Sequence, residues 1–247
     1  MPESRDAEAT ADRESAASTP EPVDDLLAAT PGTAYLWGRV AGDGDVTEDC
    51  VVVRTADESA ADALAAVAGA DRTAHDHDVV ARESAHDASV VRFEDAYELR
   101  VFGTAADRAS AALGLPVDDH PGGYRFDAFD AYRPQLLRGL LEACGTVCFR
   151  ESTGSVGVSF VHDDPALLET TRGLLDAADP HLPVGERAET SDGGYWFGLA
   201  DDADAAAFAE WVYAGSDDTG LYSAARRRKL RRSVERATGQ AVGDLEP

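Results

Sequence analysis

Lysine is almost missing from this sequence: Lys229 is the single copy among 22 basic residues, set against 47 acidic ones. Methionine occurs once and cysteine three times, at Cys50, Cys144 and Cys148. An odd and small cysteine count excludes a disulfide framework. Cys144 and Cys148 straddle Gly145 at a spacing that matches no zinc pattern, so the cysteines read as small buried hydrophobes. No apolar run approaches the ~18 residues that a membrane-spanning helix requires. The polar, acidic N-terminus does not resemble a signal peptide, and a cytoplasmic location with no membrane partner is expected. A glycine-rich phosphate loop after a strand and a nucleophile elbow are also lacking, which removes the common nucleotide-binding and hydrolase readings.

What is present is a strong negative charge on an otherwise ordinary globular composition. The net charge is −25, yet the hydrophobic fraction is 44%, too high for wholesale disorder. Carboxylates in excess with almost no lysine suit a halophilic protein, working where the Debye length shrinks to about 3 Å. At that screening, net acidity does not exclude a nucleic-acid partner.

Residues 1–22 are rich in Glu, Ser, Ala and Pro and are expected to be disordered. Val23–Ala29 reads as a short helix, Pro31-Gly32 as a turn, and Thr33 as the N-cap of a helix over Ala34–Asp43. Strand signals follow at Asp49–Thr55, then a helix from Asp57 ended by Gly69, strands at Asp78–Ala81, Val90–Phe93 and Ala96–Phe102, and a helix over Thr104–Leu113. A Pro/Gly/Asp-rich linker occupies 116–131. The order then repeats. Tyr132–Cys144 is a helix, Thr146–Glu151 and Ser155–Val161 a hairpin, Pro165–Ala177 a helix, Gly185–Thr190 and Gly194–Leu199 a second hairpin, and Ala203–Ala214 a helix. A basic helix, Leu221–Ala237, ends the pattern. Two units, at 33–115 and 132–215, therefore share one element order with a period of roughly 100 residues, which indicates an internal duplication. Hairpins alternating with helices predict an α+β fold of antiparallel sheets with helices on one face.

Each unit opens on a similar run: Leu36–Gly44 reads LWGRVAGDG and Leu137–Gly145 reads LRGLLEACG. Gly38 and Gly42 in the first, and Gly139 and Ala143 in the second, lie four apart and so share one helix face. Two such stripes can bring helix backbones unusually close. The pair, with the αββαββα order behind each copy, resembles the two motifs of a single-chain LAGLIDADG protein. The resemblance covers roughly 33–236 and implies a saddle of antiparallel strands that straddles duplex DNA, with the motif helices as its central interface. It also implies an acidic residue at the end of each motif helix, where carboxylates hold the divalent metal (Mg²⁺) used for phosphodiester cleavage.

Asp43 fits the first of these positions. It reads either as a metal ligand or as one more carboxylate of an acidic chain. Cys144 stands at the second position and does not replace a hard oxygen ligand. Glu142, two residues earlier, points about 200° away on a helix. Cleavage is expected to be lost. Duplex binding is expected of Arg226, Arg227, Arg228, Lys229, Arg231 and Arg232, packed into two turns against the charge of the whole chain. The alternative is that this helix neutralises acidic neighbours. Arg54, Arg92, Arg100 and Arg150 lie in or beside strands, within reach of bases or phosphates, although the second unit's strands at 155–161 and 194–199 hold no cation. The run His75-Asp76-His77-Asp78 reads as an exposed acidic loop with little power to organise a metal.

The expected protein is thus a monomeric, non-cleaving LAGLIDADG-like protein that binds double-stranded DNA, with a regulatory role. Two alternatives remain open: an active Mg²⁺-dependent endonuclease or nickase, and an interaction or effector-binding module that docks an acidic protein partner.

Overall fold

In a computed structural model the described residues are 20, 22–47, 49–69, 74–80, 92–102, 105–117 and 121–239. The acidic tail expected to be disordered, 1–22, lies outside them except for 20 and 22. The first unit runs α1 (Pro31–Asp43), β1 (Gly44–Val46), β2 (Cys50–Thr55), α2 (Glu58–Ala68), β3 (Ala74–Val80), β4 (Arg92–Phe102), α3 (Ala105–Leu113). A 3₁₀ turn, Asp127–Tyr132, lies in the linker. The second unit runs α4 (Arg133–Cys144), β5 (Gly145–Arg150), β6 (Ser155–His162), α5 (Pro165–Asp176), β7 (Ala188–Glu189), β8 (Tyr195–Gly198), α6 (Asp202–Tyr213). A short α7 (Ser216–Thr219) and the basic α8 (Ala224–Thr238) follow.

Both sheets are antiparallel, with strand orders β1-β2-β4-β3 and β5-β6-β8-β7, so the duplication extends to topology. Alternation decides what each strand buries. In β2 the core-facing residues are Val51 and Val53, and in β6 they are Val156, Val158 and Phe160.

Several local expectations change. Thr30, not Thr33, caps α1. The Thr30 hydroxyl accepts from the Thr33 N–H at 3.2 Å and Thr33 Oγ1 accepts from the Thr30 N–H at 3.1 Å. Pro31 at the first helical position suits a helix start rather than a turn, because its missing N–H would have had no helical partner. Val23–Ala29 forms turns, not a helix. His75–Asp78 is not a loop: it pairs in register with β4, from His75 opposite Tyr97 to Asp78 opposite Glu94. Long-range pairing overrides the polar composition that suggested a loop. The strands expected at Val90–Phe93 and Ala96–Phe102 are joined, from Arg92 onward, within the single β4; positions 90 and 91 lie outside the described residues. The chain at 216–223 makes a helical turn and a cap, so the basic helix starts at Ala224, capped by Ser223.

The two units meet along α1 and α4. A Cβ on Gly38 would lie 2.2 Å from the Leu136 carbonyl oxygen, and one on Gly139 would lie 2.4 Å from the Tyr35 oxygen. One on Gly42 would fall 2.6 Å from Ala143 Cβ. Backbone therefore packs on backbone, with Tyr35, Leu36, Val40, Leu136, Leu137, Leu140 and Leu141 buried around the contact. Gly44 and Gly145 end these helices with extended backbone, not the left-handed geometry usual for a terminal glycine. Close approach requires glycine there: a Cβ would sit 2.7 Å from the Val40 oxygen and 2.3 Å from that of Leu141.

Candidate nucleic-acid interface at the motif-helix ends

Packing through the glycine stripes brings the ends of α1 and α4 together, and the Cβ position of Gly42 is 3.3 Å from Cys144 Sγ. Asp43 is exposed at the end of α1. Partial desolvation pushes its carboxyl upward, while Arg39 and Arg54 pull it down. Across the seam, burial pushes the Cys144 thiol up to about 12, and its Sγ lies 3.4 Å from the Leu140 carbonyl. It is a protonated thiol at neutral pH.

Glu142 is fully enclosed and serves another purpose. It accepts hydrogen bonds from Tyr35 Oη on α1 at 2.6 Å, Tyr213 Oη on α6 at 3.0 Å and the Ser223 N–H that precedes α8 at 2.9 Å. Desolvation raises its carboxyl above the usual range, although those donors and the nearby Arg39 and Arg138 work against that rise. Among the described residues, no three His, Cys, Asp or Glu side chains converge to hold a metal. The donor set at the motif ends is one carboxylate beside two guanidiniums and a thiol. That set does not fit a hard divalent cation, which is bound through several oxygens.

One turn earlier on α4, Arg138 is completely buried. It donates to the carbonyls of Val212 at 2.7 Å, Leu221 at 2.8 Å and Ala214 at 3.2 Å, and its guanidinium lies over the Tyr213 ring. Arg138 and Glu142 together tie the end of α6 and the start of α8 to the seam. Sequence reasoning missed this role. The available signal was two charged residues four apart, hence on one face, inside the stretch Leu136–Cys144 that is otherwise apolar.

The anchored helix α8 buries Leu230, Ser233 and Val234. Arg228, Arg232 and Arg236 recur every fourth residue on its exposed side, with Lys229 beside them. Arg236 also lies over the Phe149 ring. Arg227 is engaged by Asp217, which it meets through both terminal nitrogens, and stacks on Tyr222. Arg226 makes a long contact to the Glu142 carbonyl at 3.5 Å, and Arg231 is half-buried.

The sheet cations are arranged differently. On the face of the first sheet away from the core, Arg54 pairs with Asp45 at 2.7 Å and Glu98 at 2.8 Å, and Arg100 pairs with Glu98 at 2.6 Å. Arg92 opens β4, and its side chain lies outside the described residues. On the second sheet the same face carries Arg150, Cys148 and Trp196 over the glycines Gly157 and Gly198, lining a groove of about 820 Å³.

Two repeats with one topology, joined by small-residue motif helices, define the class. The chain matches the LAGLIDADG family described as "Putative archaeal homing endonuclease" over residues 12–240, and it belongs to that family. Curated proteins provide no match. Among solved structures it is similar to full-length DUF199/WhiA from Thermatoga maritima, at 12% identity and a TM-score of 0.51, covering 87% of this chain and 62% of that one. It is also similar to the homing endonuclease I-WcaI bound to its DNA recognition sequence, at 10% identity and a TM-score of 0.50, covering 81% of this chain and 85% of that one. At such identities the likeness is one of fold. Among the described residues no helix is long and apolar enough to cross a membrane.

Proposed function

We propose that this chain is a non-cleaving member of the LAGLIDADG family that binds double-stranded DNA in a salt-rich cytoplasm and acts as a regulator. The observation that carries the proposal is the asymmetry of the motif ends: where α1 ends in Asp43, α4 ends in a half-buried Cys144 whose thiol is pushed up to about 12, not in a second carboxylate. Hydrolysis of a phosphodiester needs charge stabilisation at both the attacking and the leaving oxygen, and half of the acidic machinery for it is replaced. Binding makes no such demand. The exposed stripe of Arg228, Arg232 and Lys229 on α8 supplies cations for backbone phosphates. Arg54 and Arg100, already paired with carboxylates, contribute less to the duplex than their position in the strands suggested.

Fluorescence anisotropy with a labelled duplex library, across a KCl series up to molar concentration, tests the binding. Wild-type protein is expected to bind with a log–log salt dependence, and each phosphate contact removed by Arg228→Gln or Arg232→Gln is expected to reduce the slope by about 0.9. Supercoiled plasmid incubated with protein and Mg²⁺ or Mn²⁺ is expected to stay intact. Nicking that Asp43→Asn abolishes overturns the non-cleaving assignment. Absence of duplex binding overturns the DNA assignment and leaves docking of an acidic protein partner as the role of α8.

A further inference from the structure

The two sides of the second sheet carry charge very unequally. In β5, alternation points Val147 and Phe149 to one side and Thr146, Cys148 and Arg150 to the other. Val147 is buried in the same core as Val156 and Val158 of β6 and Leu230 and Val234 of α8. Helix α8 packs on β5, β6 and α6. Its first turn reaches the Glu142 carbonyl through Arg226, and its last turn lays Arg236 over the Phe149 ring. The helix therefore runs along β5 on the core side of the sheet, opposite the side on which Cys148 and Arg150 lie.

Leu230 and Val234 mark the buried face of α8, and Arg228, Arg232 and Arg236 fall on the face turned away from it. From the first of these arginines to the last is about 12 Å along the helix. A stretch of duplex axis of that length carries about seven phosphate charges, enough to engage all three guanidiniums. Glu235 is the only acid in α8.

The outward faces of the strands offer little net charge by comparison. Arg54 and Arg100 on the first sheet are matched by Asp45 and Glu98. On the second sheet Arg150 is the one cation among the residues that line the groove, and Glu186, Asp201 and Asp202 line it too. The outward positions of β6, at Ser155, Gly157 and Ser159, add no charge.

On the reading that this chain binds duplex DNA, we propose that the duplex lies along α8, on the helix side of the second unit, and not across the outward faces of the strands. Arg228, Arg232 and Arg236 meet the phosphates. A helix is about 10–12 Å across, so α8 and the sheet together separate this row from Cys148, and a straight duplex seated on one does not touch the other.

Two thiols report which side is covered. Cys148 is exposed on the strand face, and Ala225→Cys places a second thiol at an exposed position in the first turn of α8. The full chain is labelled with iodoacetamide with and without saturating duplex, at a KCl concentration where anisotropy shows the duplex bound, and read by mass spectrometry. Duplex is expected to slow labelling in Ala225→Cys at least fivefold at the new thiol and to leave the Cys148 rate unchanged. Arg228→Gln/Arg232→Gln/Arg236→Gln is expected to weaken duplex binding at least tenfold. Thr146→Glu/Ser155→Glu, which puts negative charge on the strand face, is expected to leave it within twofold. Protection of Cys148 by the duplex, binding that survives the triple substitution, or binding lost in Thr146→Glu/Ser155→Glu overturns the placement while duplex binding itself stands. Absence of duplex binding by the wild-type chain overturns the underlying reading and the placement with it. Circular dichroism on each variant separates loss of the surface from loss of the fold.

Discussion

Adding one methyl group at Gly38 tests the seam most directly. In Gly38→Ala the new carbon would be 2.2 Å from the Leu136 carbonyl oxygen and 3.1 Å from Gly139 Cα, both backbone atoms that no side-chain rotation can move aside. The helices must separate by about 1 Å, and a gap of 0.5–1 Å already forfeits a quarter to a half of each dispersion contact along the line of opening. Overpacking of this kind costs 1–3 kcal/mol or more. With backbone as the obstacle, a loss of at least about 3 kcal/mol is expected, or a fall in Tm of about 6–12 °C for a chain of this size. Gly173→Ala is the control. It makes the same chemical change inside α5, where nothing lies within 4 Å of the new carbon. Relief of the glycine entropy penalty should there add about 0.5–1 kcal/mol and raise Tm by about 1–4 °C. Thermal unfolding followed by circular dichroism at one fixed KCl concentration gives both numbers. If Gly38→Ala melts within about 2 °C of the parent, the backbone-to-backbone seam is refuted.

Two further outcomes rest on titratable groups. With its thiol pushed up to about 12, the half-buried Cys144 should react with iodoacetamide at pH 8 far more slowly than the exposed Cys148; mass spectrometry showing the two labelled at equal rates in the native protein contradicts the raised thiol. Desolvation alone would raise the Asp57 carboxyl, but hydrogen bonds from Ser223, Ser59 and Ala225 outweigh it and hold the group below its usual value. A depressed acid contributes stability above its ordinary range that is lost as the pH falls. Urea unfolding below about pH 4 should therefore show wild-type stability declining more steeply than that of Asp57→Asn; parallel curves count against the Asp57 tie to α8.

Much of the architecture was legible because it is written in short-range periods. Helical spacing of leucines placed α5, strand and turn signals placed β2 and β6 within a few residues, and small residues four apart marked α1 and α4, the two helices that meet. The substitution at Cys144 was visible as well, since it is a property of one position in a repeated motif. His75–Asp78 was misread because its polarity outweighed a pairing with β4 that lies beyond any local window.

What only the tertiary structure decided is how the charges are spent. Glu142 joins Tyr35, Tyr213 and Ser223, which lie 107, 71 and 81 residues away, and Arg138 reaches carbonyls 74 to 83 residues along the chain. Arg54 and Arg100, which looked free to meet DNA, are matched by Asp45 and Glu98 on the same sheet face. The sequence by itself determined the duplicated fold and the seam, because each is local or repeated. Partners brought together by chain crossings leave no periodic trace, so the role of Glu142 and Arg138 in anchoring the basic helix, and the side of the second sheet on which that helix lies, were settled only by folding.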